Sequence, residues 1–565
     1  MKDLLEQIYK QRSDYILIGL TGKIGSGCTT AASILSSTVE QINFPNITYE
    51  GHIDDALRKR DIITKHFKRN WRQFTPIYVR DIITTFILQH DFKTIVAYLE
   101  DKPEAIVSIT AIEDQYTDYH NRNTAFLGNL DNKTNPEEVY RYLGCELPAF
   151  SNKIKEGLGG ENYRNFSRAF QLFGDNIRKT GCALATQPPH SMHIYAIAER
   201  INLILKSLKQ YYHATNRKNY FVIDAFRNSF EAQYFKERYS AFYLFAIKAP
   251  EEDRIDRLFN TFKLSSVQIK EQDAKEDSGK SQFDSHDLFA SQNISSCIQK
   301  ADIHINNNGK CGNRDFNDLK YQIIKYVSLI QRPGIITPQR DEKLMQIAYT
   351  AKLSSGCISR QVGAVVTNKD GAIVAIGWND VPKGQTQCLL RNMEHLVACV
   401  DKPSYSSYEQ KENIVLGEMQ NQLDKIKDPE SLCGRNLSFC YKSIHNKLHD
   451  KKDQIQPRAL HAEENAFLQI VKHGGQGVAG GTLYCTASPC ELCSKKAYQL
   501  EISRVVYVEP YPGIAISHII QSGSSSPVIE LFDGAIGTAY HKLYEPILPY
   551  KDELNVIQTS TVAGG

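Results

Sequence analysis

The first half of the chain alternates short apolar runs with longer amphipathic stretches. Runs of strand length occur at 15–20, 220–224, 241–247 and 301–305. Stretches with helical periodicity, such as 76–89, 192–208 and 313–329, lie between or after them. Strands that alternate with helices are typical of a parallel sheet covered on both faces. We therefore predict an α/β fold for this half, with a lid or mobile loop at the charged segment 271–285.

The alternation restarts after residue 340. A helix is predicted at 341–353, followed by strands at 362–366 and 372–378 that are joined by a hairpin. An insertion rich in charges and amides follows at about 401–457. Beyond it we predict, in chain order, a helix at 461–471, a strand at 481–485, a helix at 490–500 and a strand at 503–508.

The best candidate for a linker is Arg332–Pro338, which contains two prolines and a glycine. A chain of 565 residues is long enough for two or more domains. We therefore expect one domain at 1–331 and a second at 332–565.

Composition narrows the class of protein. A hydrophobic fraction of 41% and a charged fraction of 23% exclude wholesale disorder. The formal net charge of only +3 argues against a protein that coats polyanions. We see no secretory signal and no apolar run long enough to span a membrane, so we expect a cytoplasmic protein without membrane contact. The 13 cysteines are therefore expected to be reduced thiols, with a metal site among them.

A glycine-rich loop directly follows the first predicted strand. It matches the P-loop spacing G-x-x-x-x-G-K-[ST] except that Cys28 replaces the lysine. The predicted phosphate-binding residues are Gly22, Lys23, Gly25, Ser26, Gly27, Cys28, Thr29 and Thr30. We expect a nucleoside triphosphate with Mg²⁺ here, with Thr29 at the cation. Because the lysine neutralises the transferring phosphoryl group, its loss predicts nucleotide binding without kinase activity.

The second half contains a pattern of zinc ligands. His461-Ala462-Glu463 begins one predicted helix, and Pro489-Cys490-Glu491-Leu492-Cys493 begins the next. Imidazole and thiolate are ligands that Zn²⁺ prefers, and a catalytic site keeps three protein ligands. We predict His461, Cys490 and Cys493 as the ligands. Glu463 would carry a proton between the attacking water and the departing amine, the arrangement typical of zinc deaminases.

These motifs resemble the cytidine and deoxycytidylate deaminase superfamily. The likeness extends to Ser354–Ala364 and to Ala375–Pro382. It implies that Asn379 contacts the nucleoside, although Asp380 stands where the family has glycine. Asn379 as a simple turn cap remains the alternative. A second zinc site made from Cys433, Cys440, His445 and His449 is also left open, and a helix that bears two histidines is the simpler interpretation.

Segments 221–228, 170–178 and 251–257 resemble P-loop nucleotide and nucleoside-monophosphate kinases. A degenerate kinase-like domain joined to a deaminase domain of α/β/α architecture resembles the bacterial anti-phage dCTP deaminases. This resemblance implies deamination of dCTP, and of dCMP in some members, which depletes dCTP during infection. It also implies a regulatory nucleotide, an inhibitory small RNA and a homo-oligomer.

Three other functions remain compatible with the sequence. A housekeeping dCMP deaminase for thymidylate synthesis would share the catalytic half but would not need the P-loop half. A deaminase of tRNA or single-stranded DNA would use the same zinc site with a basic, aromatic-lined channel. A nucleotide-triggered switch with a non-catalytic scaffold is disfavoured by the intact set His461, Glu463, Cys490 and Cys493.

Overall fold

A computed structural model describes residues 2–45, 47, 51, 53–100, 112–159, 163–185, 187–276, 289–308, 316–451, 456–474, 477–511 and 513–562. Its internal contacts divide the chain into two compact units. The first unit comprises Met1–Pro338 together with Thr538–Gly565, and the second comprises Gln339–Gly537. The predicted boundary between 331 and 332 therefore lies inside the first unit. Residues 538–565, which were predicted to be in the second domain, also belong to the first unit.

The first unit is built from helices around a parallel sheet. Its elements are α1 Lys2–Ser13, β1 Tyr15–Thr21, α2 Cys28–Leu35, α3 Val39–Ile42, α4 Asp55–Asn70, β2 Thr75–Tyr78, α5 Val79–Ile87, α6 Phe92–Glu100, α7 Glu113–Asn132, α8 Pro136–Arg141, α9 Leu147–Gly159, α10 Tyr163–Thr180, α11 Ala196–Ala214, β3 Asn219–Asp224, α12 Ser229–Arg238, β4 Phe242–Lys248, α13 Glu251–Phe262, α14 Ser266–Glu276, α15 Ile294–Gln299, β5 Ile303–Asn306 and α16 Asn317–Gln331, with α23 Thr538–Tyr544 and α24 Tyr550–Val562 from the end of the chain.

Its five strands lie in the order β5-β4-β1-β3-β2, and every pairing between them is parallel. Residues 16–21 of β1 are all buried, as expected for a central strand covered on both faces. This confirms the predicted α/β class with a parallel sheet. Because parallel strands end at the same edge, the glycine-rich loop after β1 lies beside the end of β3 at Asp224.

Three local predictions were wrong in detail. Residues 75–78 form the edge strand β2 and not the first turn of a helix, and an edge strand accepts Pro76. The helix predicted at 192–208 begins as a 3₁₀ turn at Ser191–Tyr195 and continues to Ala214. Residues 271–276 of the predicted loop belong to α14, and 277–285 lie outside the described residues.

The end of the chain belongs to the first unit because of a buried carboxylate. Glu553 of α24 is 3% exposed, accepts a hydrogen bond from the Tyr9 hydroxyl and pairs with Arg332. In addition, the Gly334 amide donates to the Leu543 carbonyl over 2.9 Å. The segment predicted as a linker is therefore packed against α23 and α24.

The second unit contains α17 Arg340–Ala351, β6 Gly363–Thr367, β7 Ile373–Trp378, α18 Met393–Val397, α19 Asn413–Asp424, α20 Tyr441–Leu448, α21 Ala462–His473, β8 Thr482–Ala487, α22 Glu491–Gln499, β9 Arg504–Glu509, β10 Val528–Leu531 and the short strand β11 Gly534–Ala535. The larger strands form a mixed sheet in the order β10-β9-β8-β6-β7. Strands β6 and β7 form the predicted hairpin, and β8, β9 and β10 are parallel to one another.

Removal of the Glu553 carboxylate should destabilise the first unit. In Glu553→Ala, Tyr9 and Arg332 lose their shared partner, and we expect the free energy of unfolding to fall by about 1–3 kcal/mol. Urea unfolding followed by circular dichroism measures the change, with Glu545→Ala on the exposed surface of the same segment as control. An unchanged free energy in Glu553→Ala would show that the carboxylate does not hold the segment in place.

Candidate active site

The first group of site residues begins helix α21. His461 lies at the N-cap position, where its backbone is extended. The preceding Leu460 amide donates to the Asp380 carbonyl over 2.8 Å, and the Asn465 side chain donates to the Trp378 carbonyl over 2.9 Å. These bonds join the start of α21 to the end of β7.

A glycine in β7 permits this approach. A Cβ on Gly377 would collide with the carbonyl oxygen of Ala462 and would lie 2.6 Å from the amide nitrogen of Ala466. Gly377 therefore lets the first turn of α21 lie directly on the strand. Gly377 lies within the deaminase-like stretch 375–382, but the sequence pattern does not indicate this contact.

The second group of site residues begins helix α22. Cys490 is the N-cap residue, and its carbonyl accepts a hydrogen bond from the Ser494 amide over 2.8 Å. Cys493 follows one turn later on the same side. The Nδ1 atom of His461 lies 3.2 Å from the Cys490 sulfur and 3.5 Å from the Cys493 sulfur. All three ligand atoms lie within 4.8 Å of one another, so the structure brings the predicted ligands together.

The chemistry of this donor set fits Zn²⁺. One imidazole nitrogen and two sulfurs are three of the four ligands of a tetrahedral zinc site, and they leave the fourth position for water. A hydrogen bond from the Cys493 thiol lowers the pKa of Cys490 to about 4 and correspondingly raises the pKa of Cys493. A lowered pKa at Cys490 favours the thiolate, which is the form that binds a metal ion.

Glu463 lies beside this group, and its side chain is not a member of it. It is 4% exposed, and burial raises the pKa of its carboxyl to about 7. A carboxyl whose pKa is near neutrality can both accept and donate a proton under physiological conditions. Glu464, one residue further, instead pairs with Lys496 on the outer side of α21 and α22. Of the two neighbouring glutamates, only Glu463 is suited to proton transfer at the metal.

Asn379 has a structural role in addition to its predicted contact with substrate. Its Oδ1 accepts from the Val362 amide over 2.6 Å, and its Nδ2 donates to the Arg360 carbonyl over 2.7 Å. The loop before β6 is thereby held against the end of β7. Each of these side-chain atoms can form one more hydrogen bond, so contact with a nucleoside stays a prediction.

Arg360, in the loop before β6, is paired within the protein. Its guanidinium lies 2.5 Å from the Glu509 carboxylate and 5.5 Å from the ring centre of Tyr511. Glu509 ends β9 and is buried, whereas Arg360 is partly exposed. Neither Glu509 nor Tyr511 was identified from the sequence, because nothing in their spacing relates them to Arg360.

The four residues of the second metal hypothesis do not converge. The ring of His445 in α20 lies 4.3 Å from that of His449 just after the helix, with the two rings tilted relative to each other. Cys433 is exposed in the loop before that helix. Within the described residues, the only group of three or more metal-ligating side chains is the one formed by His461, Cys490 and Cys493.

The glycine-rich loop of the first unit lines a cavity of about 1270 Å³. Gly25 and Gly27 have positive φ angles of 83° and 107°, which favour glycine. A Cβ on Gly27 would also collide with the side-chain nitrogen of Asn307. Of the predicted phosphate-binding residues, Gly22, Lys23, Gly25, Gly27, Cys28, Thr29 and Thr30 line the cavity, while Ser26 is buried beneath the loop.

The start of α2 carries a hydroxyl that suits a cation site, and it lacks the charged lysine of a catalytic P-loop. The Thr29 hydroxyl donates to the Asp224 carboxylate at the end of β3 over 3.0 Å. A hydroxyl and a carboxylate in this position are the groups that hold Mg²⁺ in P-loop proteins. Burial raises the pKa of the Cys28 thiol to about 12, so Cys28 is neutral and cannot replace a lysine.

Charged side chains from α13 and α14 hold the loop. Arg257 donates to the Gly25 carbonyl over 3.2 Å, and buried Arg254 donates to the Ile24 carbonyl over 3.3 Å. The buried Glu276 accepts from the Ile24 amide over 3.3 Å. The charged helix predicted at 251–257 is thus part of the scaffold of the loop, and Arg257 also lines the cavity.

Comparison with known proteins finds relatives of the second unit. Residues 338–509 match the model for the cytidine and deoxycytidylate deaminase zinc-binding region. The deoxycytidylate deaminase of Enterobacteria phage T4 is 29% identical over 177 residues, which are 30% of this chain and 77% of that protein. The deoxycytidylate deaminase of Schizosaccharomyces pombe is 28% identical over 188 residues, which are 32% of this chain and 42% of that protein.

Among solved structures, the dCMP deaminase of cyanophage S-TIM5 in complex with dCMP and dUMP is 23% identical, with a TM-score of 0.22. The match covers 35% of this chain and 99% of that chain. The region matched by the family model contains His461, Glu463, Cys490 and Cys493. The family model and the two deoxycytidylate deaminases of phage T4 and S. pombe confirm the resemblance of the second half to deaminases. Separately, no helix in the described part of the chain is long and apolar enough to cross a membrane.

Substitution of one zinc ligand should release the metal. We expect Cys490→Ala to lose most of its zinc, because two ligands hold the ion far more weakly than three. Metal analysis by inductively coupled plasma mass spectrometry measures the zinc content. Cys433→Ala is the matched control and should keep its zinc. Full zinc occupancy in Cys490→Ala would remove Cys490 from the ligand set.

A methyl group at Gly377 should displace α21 from β7. We expect Gly377→Ala to lower the free energy of unfolding by about 1–3 kcal/mol and to reduce zinc content, because His461 moves with the helix. Gly417→Ala is the control, since a Cβ at Gly417 in α19 meets no atom of the described residues within 4 Å. Wild-type zinc content and stability in Gly377→Ala would show that the contact between strand and helix tolerates a side chain.

Proposed function

We propose that the second unit catalyses the hydrolytic deamination of a free deoxycytidine nucleotide. The proposed substrate is dCTP, with dCMP as a second substrate. One observation carries the proposal: His461, Cys490 and Cys493 converge beside the buried Glu463, inside the region that matches the deaminase family.

The proposed reaction requires water to add to C4 of cytosine and ammonia to leave. Zinc, when bound, lowers the pKa of the attacking water. Glu463 accepts a proton from the water and donates it to N3 of the base as the hydroxyl bonds to C4. Glu463 then carries the proton of that hydroxyl to N4, and the C4–N4 bond breaks to give uracil and ammonia. The hydrophobic surroundings that raise the pKa of Glu463 keep the carboxyl ready for both transfers.

A free nucleotide is favoured over a polymer by charge and by similarity. The chain has a formal net charge of only +3, which gives little general attraction to nucleic acid. The curated relatives described above are named deoxycytidylate deaminases. Those names also support a second candidate, a housekeeping dCMP deaminase, which would prefer the monophosphate.

The first unit is proposed to bind a regulatory nucleoside triphosphate with Mg²⁺ and not to transfer its phosphate. The glycine conformations, the Thr29–Asp224 pair and the neutral Cys28 support this assignment. In the anti-phage interpretation, a regulated deaminase depletes dCTP during infection. The inhibitory small RNA and the homo-oligomer belong to the same proposal and rest on resemblance alone.

A comparison of substrates tests the proposal. We expect the zinc-loaded full chain to convert dCTP to dUTP at least tenfold faster than it deaminates cytidine or single-stranded DNA. Ammonia release and chromatography of the nucleotides measure these rates. A strong preference for dCMP would instead favour the housekeeping function, and activity on the polymer alone would contradict both.

The proton-transfer role of Glu463 has its own test. Glu463→Gln should retain zinc and lose deamination by about 10²–10⁴-fold, because the amide cannot accept the proton. Glu464→Gln is the matched control. Glu464 pairs with Lys496 and accepts a hydrogen bond from the His461 amide, and a glutamine side-chain oxygen can still accept that bond. Undiminished turnover by Glu463→Gln with full zinc content would exclude the role.

A further inference from the structure

The candidate zinc ligands lie at one edge of the sheet in the second unit, where β7, β8 and β9 end and β6 begins. The backbone of Lys352 lies at this same edge, because a Cβ on Gly363, the first residue of β6, would be 2.7 Å from the Lys352 amide nitrogen. Lys352 begins the 3₁₀ turn that follows α17. It is a cation beside the candidate active site to which the proposed reaction assigns no role.

Tyr511 and Arg360 connect the zinc ligands to Lys352. Burial raises the pKa of the Tyr511 hydroxyl, and the nearby charges of Cys490 and Glu463 contribute to that shift. The ring centre of Tyr511 lies 5.5 Å from the Arg360 guanidinium. Burial also lowers the pKa of the Lys352 ammonium to about 8, and the nearby charge of Arg360 contributes. The groups therefore follow one another along the edge in the order zinc ligands, Tyr511, Arg360 and Lys352.

The cations at this end of the row outnumber the carboxylate that they share. The Arg360 guanidinium pairs with Glu509 over 2.5 Å, and the charge of Glu509 also acts on Lys352. The Lys352 ammonium lies 3.8 Å from the ring centre of Tyr349, and it forms no ion pair with a carboxylate among the described residues. A partly buried cation without a carboxylate partner is costly, and an anionic ligand reduces that cost.

We propose that Lys352 binds the terminal phosphates of the substrate and thereby selects a triphosphate over a monophosphate. With the base at the zinc ligands, the first phosphate lies toward Arg360, and the terminal phosphates extend to Lys352. A monophosphate ends before that point and gains nothing from the lysine. The inference rests on the proposed deamination and names the residue that makes dCTP the better substrate.

A lysine at this position is chemically suited to a chain of phosphates. Its ammonium is a compact charge with three donors on a flexible stem, so it can contact phosphate oxygens without a fixed geometry. With a pKa of about 8 the side chain is mostly charged at neutral pH, and a bound phosphate favours the charged form further. The Tyr349 ring also attracts a cation, which helps to orient the side chain.

Steady-state kinetics of the zinc-loaded full chain with dCTP and with dCMP test this assignment. In Lys352→Met we expect kcat/KM for dCTP to fall about tenfold, mainly through a higher KM, because a charge-assisted hydrogen bond to phosphate is lost. The value for dCMP should fall at most about twofold. The ratio of the two values then falls about fivefold or more, a split that general damage to the fold does not produce.

Two further variants serve as controls. Lys352→Arg keeps the charge and should keep the ratio of dCTP to dCMP activity within about threefold of the parent. Lys369→Met removes an exposed lysine from the hairpin between β6 and β7, at the opposite edge of the sheet, and should leave both activities at the level of the parent. Zinc analysis and circular dichroism verify that each variant is loaded and folded. Because the glycine-rich loop is the same in all variants, any effect of dCTP on the first unit is common to them.

The outcomes separate failure of this inference from failure of the proposed deamination. Equal losses with dCTP and dCMP in Lys352→Met, or no loss with either, would overturn the role of Lys352 while the deaminase stands. A loss in Lys352→Arg as large as in Lys352→Met would do the same, since charge is then not the cause. A parent that prefers dCMP would also contradict selection by the lysine. A parent that deaminates neither nucleotide would contradict the proposed deaminase and this inference with it.

Discussion

The contact between β7 and the first turn of α21 is the constraint on which the candidate active site depends. His461 and Glu463 lie in that turn, so imidazole and carboxylate move together with the helix. Gly377 allows the helix to approach, and the bond from the Leu460 amide to the Asp380 carbonyl fixes its start. Helix α22 brings both sulfurs to the same point. The metal centre is therefore positioned by backbone packing, and its side chains need little freedom of their own.

The sequence predicted the metal centre well because the residues of that centre lie in two short segments of the chain. Two cysteines three residues apart at a helix start must face the same side, and His461 and Glu463 keep their relation wherever α21 lies. Asn379 shows the limit of such reasoning. Its amide binds backbone groups of Arg360 and Val362. Because every residue has such groups, no pattern of residue types predicts this contact. The pairing of Arg360 with Glu509 was equally inaccessible, since it joins residues far apart in the chain.

The elements of the fold were also predictable where their signal lies within a short segment of the chain. Buried strands such as β1 and β4 are apolar except at their last residues, and their pattern predicts them without knowledge of their neighbours. Strand β2 is extended because it pairs with β3, about 140 residues later, and its own four residues do not require that state. The last helices were assigned to the second domain because proximity in sequence was the only guide. Their true location depends on the contacts of Glu553 with Tyr9 and Arg332.

The loop after β1 has the backbone geometry proposed for phosphate binding, but it lacks the lysine that phosphoryl transfer needs. Its glycines adopt the required conformations, and Arg257 and Glu276 support the loop through its backbone groups. The neutral Cys28 removes the charge that phosphoryl transfer needs. A nucleotide that is bound but not consumed can act on the protein only through its free energy of binding. It shifts the equilibrium between two protein conformations only by the difference in its affinity for them. The proposed regulation must therefore depend on contacts with the nucleotide that are present in one conformation of the first unit and absent from the other.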